Sequence, residues 1–330
     1  MNDRWLFHQQ AKWQPAGRQW LREQRHGLTL LELLVILLVI GVLLGLLLPV
    51  IQSARESSRR ERCSARLRDL GMGVEQYRLA EQRFPAGVVD EGGGPIRSEP
   101  TGQHIGWLVS ILPFIAQQAL YEEFDWQAGV YAASNAQVRA TVVPTMICPS
   151  YPGGLSIQST AQVPIDSDSP ETLDARLSQH VAISSYAGCH HDQEAPIDDD
   201  NHGTLFLNSK VRLSEIPDGS SQTILLGEAI PDRDSLGWVS GTRATLRNTG
   251  AFELVEDWWE MTASKPPKSA LYVGHFGSFH PDGANFVFAD ASTKFITNTI
   301  DSALFQQLGN RGEKKIEPPP AQTPSSTSLR

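Results

Sequence analysis

The sequence has little cysteine, and little basic charge over most of its length. Three cysteines in 330 residues exclude a scaffold built from disulfides, and they lack the paired spacing of a zinc site. Gly 27 and Pro 21 are too few for a collagen-like or low-complexity chain. A hydrophobic content of 40% with 20% charged residues excludes a wholly disordered one. Basic residues are scarcest where the chain is longest: residues 84–312 carry twelve of them against twenty-seven acidic ones. A segment at −15 lacks the positive footprint that phosphate binding needs, so nucleic acid is not expected as a partner. The total of −9 is unevenly spread, with residues 1–27 at +3, 28–83 at +2 and 313–330 at +1. At ~150 residues per domain, the length indicates about two units.

Charge is nearly missing from one further stretch. Leu28 to Ile51 contains Glu32 as its single charged residue. A helix of this length crosses a ~30 Å hydrocarbon core. A secretory signal has an apolar region of only ~7–15 residues, and V-I-Q-S-A-R offers no A-x-A cleavage site. A retained anchor is therefore expected. Flanking charge does not orient it. Lys12, Arg18, Arg22 and Arg25 precede the span, while Arg55, Arg59, Arg60, Arg62, Arg66 and Arg68 follow it.

Glu32 is costly in lipid, at about 2.5–3.5 kcal/mol on insertion scales. Its context is Arg25-His26-Gly27, then L-T-L-L-E, then the apolar run. This resembles the prepilin signature of type IV pilins and type II secretion pseudopilins. The resemblance makes 1–27 a leader, Gly27 its last residue, Leu28 the mature N-terminus and Glu32 the fifth mature position. Pro49 falls where such proteins often carry proline. Leu28 departs from the commoner Phe, and the leader is long. The resemblance implies cleavage by a prepilin peptidase after Gly27 and methylation of the Leu28 amine. It also implies that Glu32 pairs with the amine of a neighbouring subunit, which offsets the burial of its charge. The leader would be cytoplasmic and the rest extracytoplasmic, on a single pass through the inner membrane.

Residues 52–83 read as a helical stalk. Cys63, Leu67, Leu70, Val74 and Tyr77 recur at spacings of 4, 3, 4 and 3, one apolar stripe. One helix is expected from about Thr29 to Ala80, with a kink at Pro49. Gly71 and Gly73 mark close packing or local loosening. The arginines read as a solvated face near lipid headgroups.

Residues 84–312 read as one mixed head. A helix over Gly106 to Tyr121 kinks or restarts at Pro113. Ser150 to Pro170 reads as loop. Strands are expected at Gly203–Leu207, Ser221–Glu228, Ala284–Ala289 and Thr293–Thr297, the last two as a hairpin. Residues 313–330 form an extended or disordered tail. From Gly27 to about Ile296 the motif order is similar to a bacterial family known as domain of unknown function 1559. The most specific matches are I-P-D-G-S-S-Q-T-I-L-L-G-E, with Asp218, Gly219, Ser220, Thr223 and Glu228, and H-P-D-G-A-N-F-V-F-A-D-A-S, with His280, Gly283, Asn285, Phe288 and Asp290. Phe295 follows in the same run. Ala291 departs from the family's usual Gly, so the turn there is of another type or is strained. The family has no assigned activity.

Other polar groups have structural readings. His275, His280, Asp282, Asn285 and Asp290 allow a calcium site, but turn chemistry accounts for them. Asp198, Asp199, Asp200, Asn201 and His202 read as a solvated loop, and His190, His191 and Asp192 as loop residues. Ser220 and His280 lack a nucleophile elbow, so no hydrolase is expected. An oxidising compartment permits Cys148 to pair with Cys189, with Cys63 as a small core residue on the helix. Trp107, Trp126, Trp238, Trp258 and Trp259 serve the core, or a binding surface. The expected fold is α+β and pilin-like, a long transmembrane helix packed on a largely antiparallel sheet. The expected role is non-enzymatic, without cofactor or metal: a minor subunit of a pilus-like or type II secretion assembly. Its partners would be prepilin peptidase, membrane lipid and other pilin-like subunits. The alternative is an anchored module that binds carbohydrate, peptide or protein.

Overall fold

The computed structural model describes residues 29–158, 180–232, 234–254 and 269–312. The chain divides into two units, Met1–Ser53 and Ala54–Arg330. Helix α1 runs over Leu30–Glu81 and is helical through Pro49. Its start is capped reciprocally. Glu32 accepts the Thr29 backbone N–H at 2.8 Å, and Thr29 Oγ1 accepts the Glu32 N–H at 3.3 Å. It stops where Gln82 turns left-handed at φ 58°, with its side chain donating to the Leu79 carbonyl at 2.8 Å. Every residue from Leu30 to Ile51 is exposed. In the second unit the stripe Cys63, Leu67, Leu70 and Val74 is buried, with Tyr77 packed at its margin.

The second unit is built on a six-stranded sheet. Its strands are β5 (Tyr186–His191), β6 (Ile224–Glu228), β7 (Leu246–Leu254), β8 (His275–Ser278), β9 (Gly283–Phe288) and β10 (Thr293–Thr297), in the order β10-β9-β6-β5-β7-β8. The pairs from β10 to β5 are antiparallel, whereas β5–β7 and β7–β8 are parallel. The sheet is thus mixed rather than simply antiparallel. Short ladders join β1 (Val88–Val89) to β2 (Ile105–Gly106) and β3 (Ser156–Gln158) to β4 (His180–Ala182).

Helices cover both sheet faces, so β5 and β9 are buried along their whole length. Alternation along β9 sends Val287 towards the α1 core. Ala284, Phe286 and Phe288 point to a second cluster with Phe276 and Phe305. Phe305 comes from a C-terminal helix, Ser302–Gly309, capped by the Asp301 carboxylate at 3.0 Å. Gly71 and Gly73 mark close packing. A Cβ at Gly71 would meet Val287 Cγ1 at 2.7 Å, and one at Gly73 would meet Ile115 Cγ2 at 2.6 Å. Bare backbone at these positions lets α1 lie between the sheet and the 107–115 segment.

That segment restarts near Pro113 as expected. It is an α-helix over Trp107–Ile111, a 3-10 turn over Leu112–Ile115 and a second α-helix over Gln118–Glu123. Several expectations shift. Ser221–Glu228 shortens to Ile224–Glu228, and Ser156–Gln158 forms a strand inside the supposed loop. Gly203–Leu207 is an irregular segment with a single bridge, Leu207 to Val88. It is tied instead by Thr204 and Leu205 N–H groups to the Cys189 carbonyl. The 313–330 tail lies outside the described residues.

The β9–β10 hairpin forms, and its turn is strained rather than rebuilt. Ala291 N–H donates to the Phe288 carbonyl at 2.8 Å, and Ala291 itself sits at φ 63°. This is a tight turn that ends in a left-handed residue, a place where glycine is at ease. An L-residue there costs roughly 1–2 kcal/mol, and glycine returns part of that as unfolded-state entropy. Ala291→Gly should therefore raise stability by about 1 kcal/mol. Urea denaturation of the detergent-solubilised chain reads this, and an unchanged or lower midpoint would count against the strain.

Candidate functional site

The turn between β8 and β9 carries a buried side chain with partners from several elements. Ser278 Oγ accepts the His280 N–H at 3.0 Å and fixes the backbone there. The His280 side chain is fully buried. Its Nδ1 lies 2.7 Å from Glu56 Oε1, and its Nε2 lies 3.2 Å from Glu228 Oε1. A carboxylate oxygen accepts and cannot donate, so both ring nitrogens carry protons and His280 is an imidazolium. Glu228, at the end of β6, is itself buried. It accepts Ser278 O–H at 3.1 Å, the Asn285 N–H at 2.8 Å and the Asn285 side-chain amide at 3.1 Å. Glu56, on α1, is partly exposed and also pairs with Arg59 at 2.6 Å.

A buried ion triad is tolerable when each charge is matched. Burial works against the charge on His280, but the hydrogen bonds and charges of Glu228 and then Glu56 outweigh it. The pKa of His280 therefore stands above the ordinary imidazole value of 6.5. Burial likewise opposes the charge on Glu56, yet His280 and Arg59 hold its pKa below the ordinary 4.5.

Beside this cluster Cys63 and Cys148 form a disulfide, with Cα atoms 4.8 Å apart and Cys148 Sγ 3.6 Å from His280 Nε2. This corrects two sequence expectations: Cys148 does not pair with Cys189, and Cys63 is not merely a core residue. The reason is sheet alternation. Cys189 points from β5 into the cluster around Phe276 and Phe305, whereas Cys63 and Cys148 belong to the cluster around α1. Cys189 remains a buried thiol whose pKa burial pushes up. The bridge closes a separation of 85 residues, worth about 4.5 kcal/mol in the chain-entropy account. Cys63, Cys148, Glu228 and His280 bring their ligand atoms within 4.8 Å of one another. The disulfide engages both sulfurs, so this group has no thiolate to offer a metal.

Other sequence candidates separate. Asp290 accepts the Ser292 N–H of its own turn at 2.9 Å, and Asp282 stands at φ 68° with its carbonyl accepting from Asn298. Asn285 turns to Glu228, so the calcium group does not assemble. His275 pairs with Asn248 at 2.7 Å. The serine nearest the His280 ring is Ser150, at 3.5 Å, not Ser220. His190 and His191 belong to β5 and are buried, which corrects the loop reading. Asn201 is buried too, bonded to His190 at 3.0 Å, while Asp199 and Asp200 remain exposed. Trp107 and Trp238 are core residues, each donating its ring N–H to a carbonyl. Trp126 is partly buried against Tyr121 and Phe124. Trp258, Trp259, Gly27 and Leu28 lie outside the described residues.

A family model described as "Protein of unknown function (DUF1559)" matches residues 52–303. The chain belongs to this family. Neither a curated protein nor a solved structure matches it. The two most specific DUF1559 motifs meet in space at this site. Glu228 closes the first, and His280 and Asn285 open the second. The second motif also engages Glu56, through His280, and Glu56 lies within the family match on α1. Sequence named Glu228, His280 and Asn285 but missed Glu56 and Cys63. The i,i+3 spacing of Glu56 and Arg59 reads as a surface pair and gives no sign of His280.

The cluster sets a pH window on stability. Its His280 share is complete below pH 6.5, the unfolded value, and is lost as pH rises through the raised folded pKa. Its Glu56 share is complete above pH 4.5 and is lost as pH falls through the lowered folded pKa. Urea midpoints should thus fall from about pH 6 to about pH 9. His280→Gln should cost about 3–5 kcal/mol at about pH 6 and flatten that slope. A slope that persists in His280→Gln would assign it to another group.

Proposed function

We propose that this chain is a prepilin-peptidase-processed, membrane-anchored extracytoplasmic protein, a minor subunit of a pilus-like or type II secretion assembly. The observation that carries the reading is an unburied apolar span that continues, in one helix, into the DUF1559 match. Leu30–Ile51 is long and apolar enough to cross a membrane, and none of its most apolar window is buried. A core helix of a water-soluble domain would be covered. At ~1.5 Å per residue the stretch reaches about 33 Å. The Cys63–Cys148 bridge supports an oxidising, extracytoplasmic location for the domain.

The processing roles of Gly27 and Leu28 rest on the leader motif. Glu32 has a local role as the reciprocal partner of Thr29, and its charge lies at the start of the span. In this reading it exchanges its bond to the Thr29 backbone for the terminal amine of a neighbouring subunit. Leader and span then serve delivery and assembly, and the domain serves contact rather than catalysis.

Cleavage after Gly27 should appear in the intact mass of the mature chain, and Gly27→Glu should retain the leader. Glu32→Ala should be cleaved normally and be lost from the sheared, filamentous fraction. A full-length mass in cells with active peptidase would overturn the processing step. A cleaved chain found solely as integral membrane protein would favour an anchored binding module.

A further inference from the structure

Helix α1 carries six arginines between Arg55 and Arg68, and their contacts sort them. Arg60 lies over the Phe295 ring, 4.6 Å from its centroid, and Arg66 donates to the Ile147 carbonyl at 2.5 Å. Both are spent on packing the domain. Arg55, Arg59 and Arg62 are exposed and follow one another at spacings of 4 and 3, so they form one stripe. Arg55 and Arg62 have no side-chain partner among the described residues. Acid would ordinarily cancel such a stripe. From Leu33 to Arg60 the single acidic residue is Glu56. One of its oxygens meets His280 at 2.7 Å and the other meets Arg59 at 2.6 Å. One carboxylate thus serves two cations, and the stripe keeps its positive charge. Glu61 projects ~100° round the helix from Arg62, and Asp69 lies about two turns further on.

We propose that Arg55, Arg59 and Arg62 form a docking surface for anionic phospholipid headgroups in the leaflet where the span ends. The inference rests on the anchored reading of Leu30–Ile51. Arg55 comes four residues after Ile51. At ~1.5 Å per residue that is about 6 Å along the helix, and Arg62 is about 16 Å along it. The headgroup layer is about 5–8 Å thick. Arginine stems are long enough to carry their guanidinium groups back towards it. Arg62 then stands within a Debye length of it, ~8 Å at physiological salt. A guanidinium matches a phosphate through paired N–H donors, and an anionic surface attracts each one independently. The charge layout fits the same partner. Residues 84–312 stand at −15 and would be repelled by an anionic surface, whereas the stripe is positive where the chain leaves lipid.

Two assays on the full chain separate the anchor from the stripe. Flotation with neutral phosphatidylcholine vesicles reports the anchor. Native mass spectrometry of the detergent-solubilised chain, given equal phosphatidylglycerol and phosphatidylcholine, reports the stripe. The wild type should retain phosphatidylglycerol over phosphatidylcholine by about fivefold or more. Arg55→Gln combined with Arg62→Gln should bring that ratio close to one. Both side chains are exposed and unpartnered, so the double variant keeps the fold. Arg68→Gln removes the same charge from another side of the helix and should leave the ratio unchanged. A chain that floats but shows no preference for phosphatidylglycerol would overturn the stripe and leave the anchor standing. A preference that survives the double variant, or falls equally in Arg68→Gln, would overturn it too. Failure to float would overturn the anchor, and the proposal with it.

Discussion

The domain is organised around a charge that has no water. His280 is enclosed between Glu56 and Glu228, and Glu56 lies 224 residues earlier in the chain. An unmatched imidazolium at that depth would be untenable, so the strand that ends in Glu228 and the helix that carries Glu56 must both be in place. Hydrogen bonds from Ser278 and Asn285 leave Glu228 with its acceptors occupied. Such a network tolerates few alternative packings, because a half-satisfied version is worse than an apolar one. The β6–β9 pairing, the β8–β9 turn and the placement of α1 are therefore one constraint.

The same helix is held by two unlike ties. Cys63 lies two turns beyond Glu56 on α1, and its bond to Cys148 is covalent. The ion cluster responds to protons and the bridge to reductants. Beyond both ties, the glycine contacts at Gly71 and Gly73 set the depth to which α1 sinks.

Periodic features were readable in advance. The apolar run and the stripe at spacings of 4 and 3 placed α1 within one residue at each end, and the alternating residues after Gly283 placed the hairpin. Four things were hidden for physical reasons. The segment Y-A-G-C-H-H does not alternate because both faces of β5 are buried, so its strand character and its buried histidines were invisible. Gly203–Leu207 is apolar enough for a strand, but it packs beside β5 without entering the sheet. The meeting of Glu228 with His280 depends on β6 lying next to β9, a neighbourhood that only topology supplies. Cys63 looked like another apolar position because a half-cystine in a helix stripe occupies the same place as a small core residue.

The position of the disulfide has a bearing on how the protein meets proteases. Cys63 belongs to the helix that begins as the apolar span, and Cys148 lies beyond several surface turns. While the bridge is intact, a single nick anywhere between the two cysteines opens the backbone without releasing anything. The downstream part of the domain stays leashed to the helix, and separating it from that helix requires a second cut or a reductant.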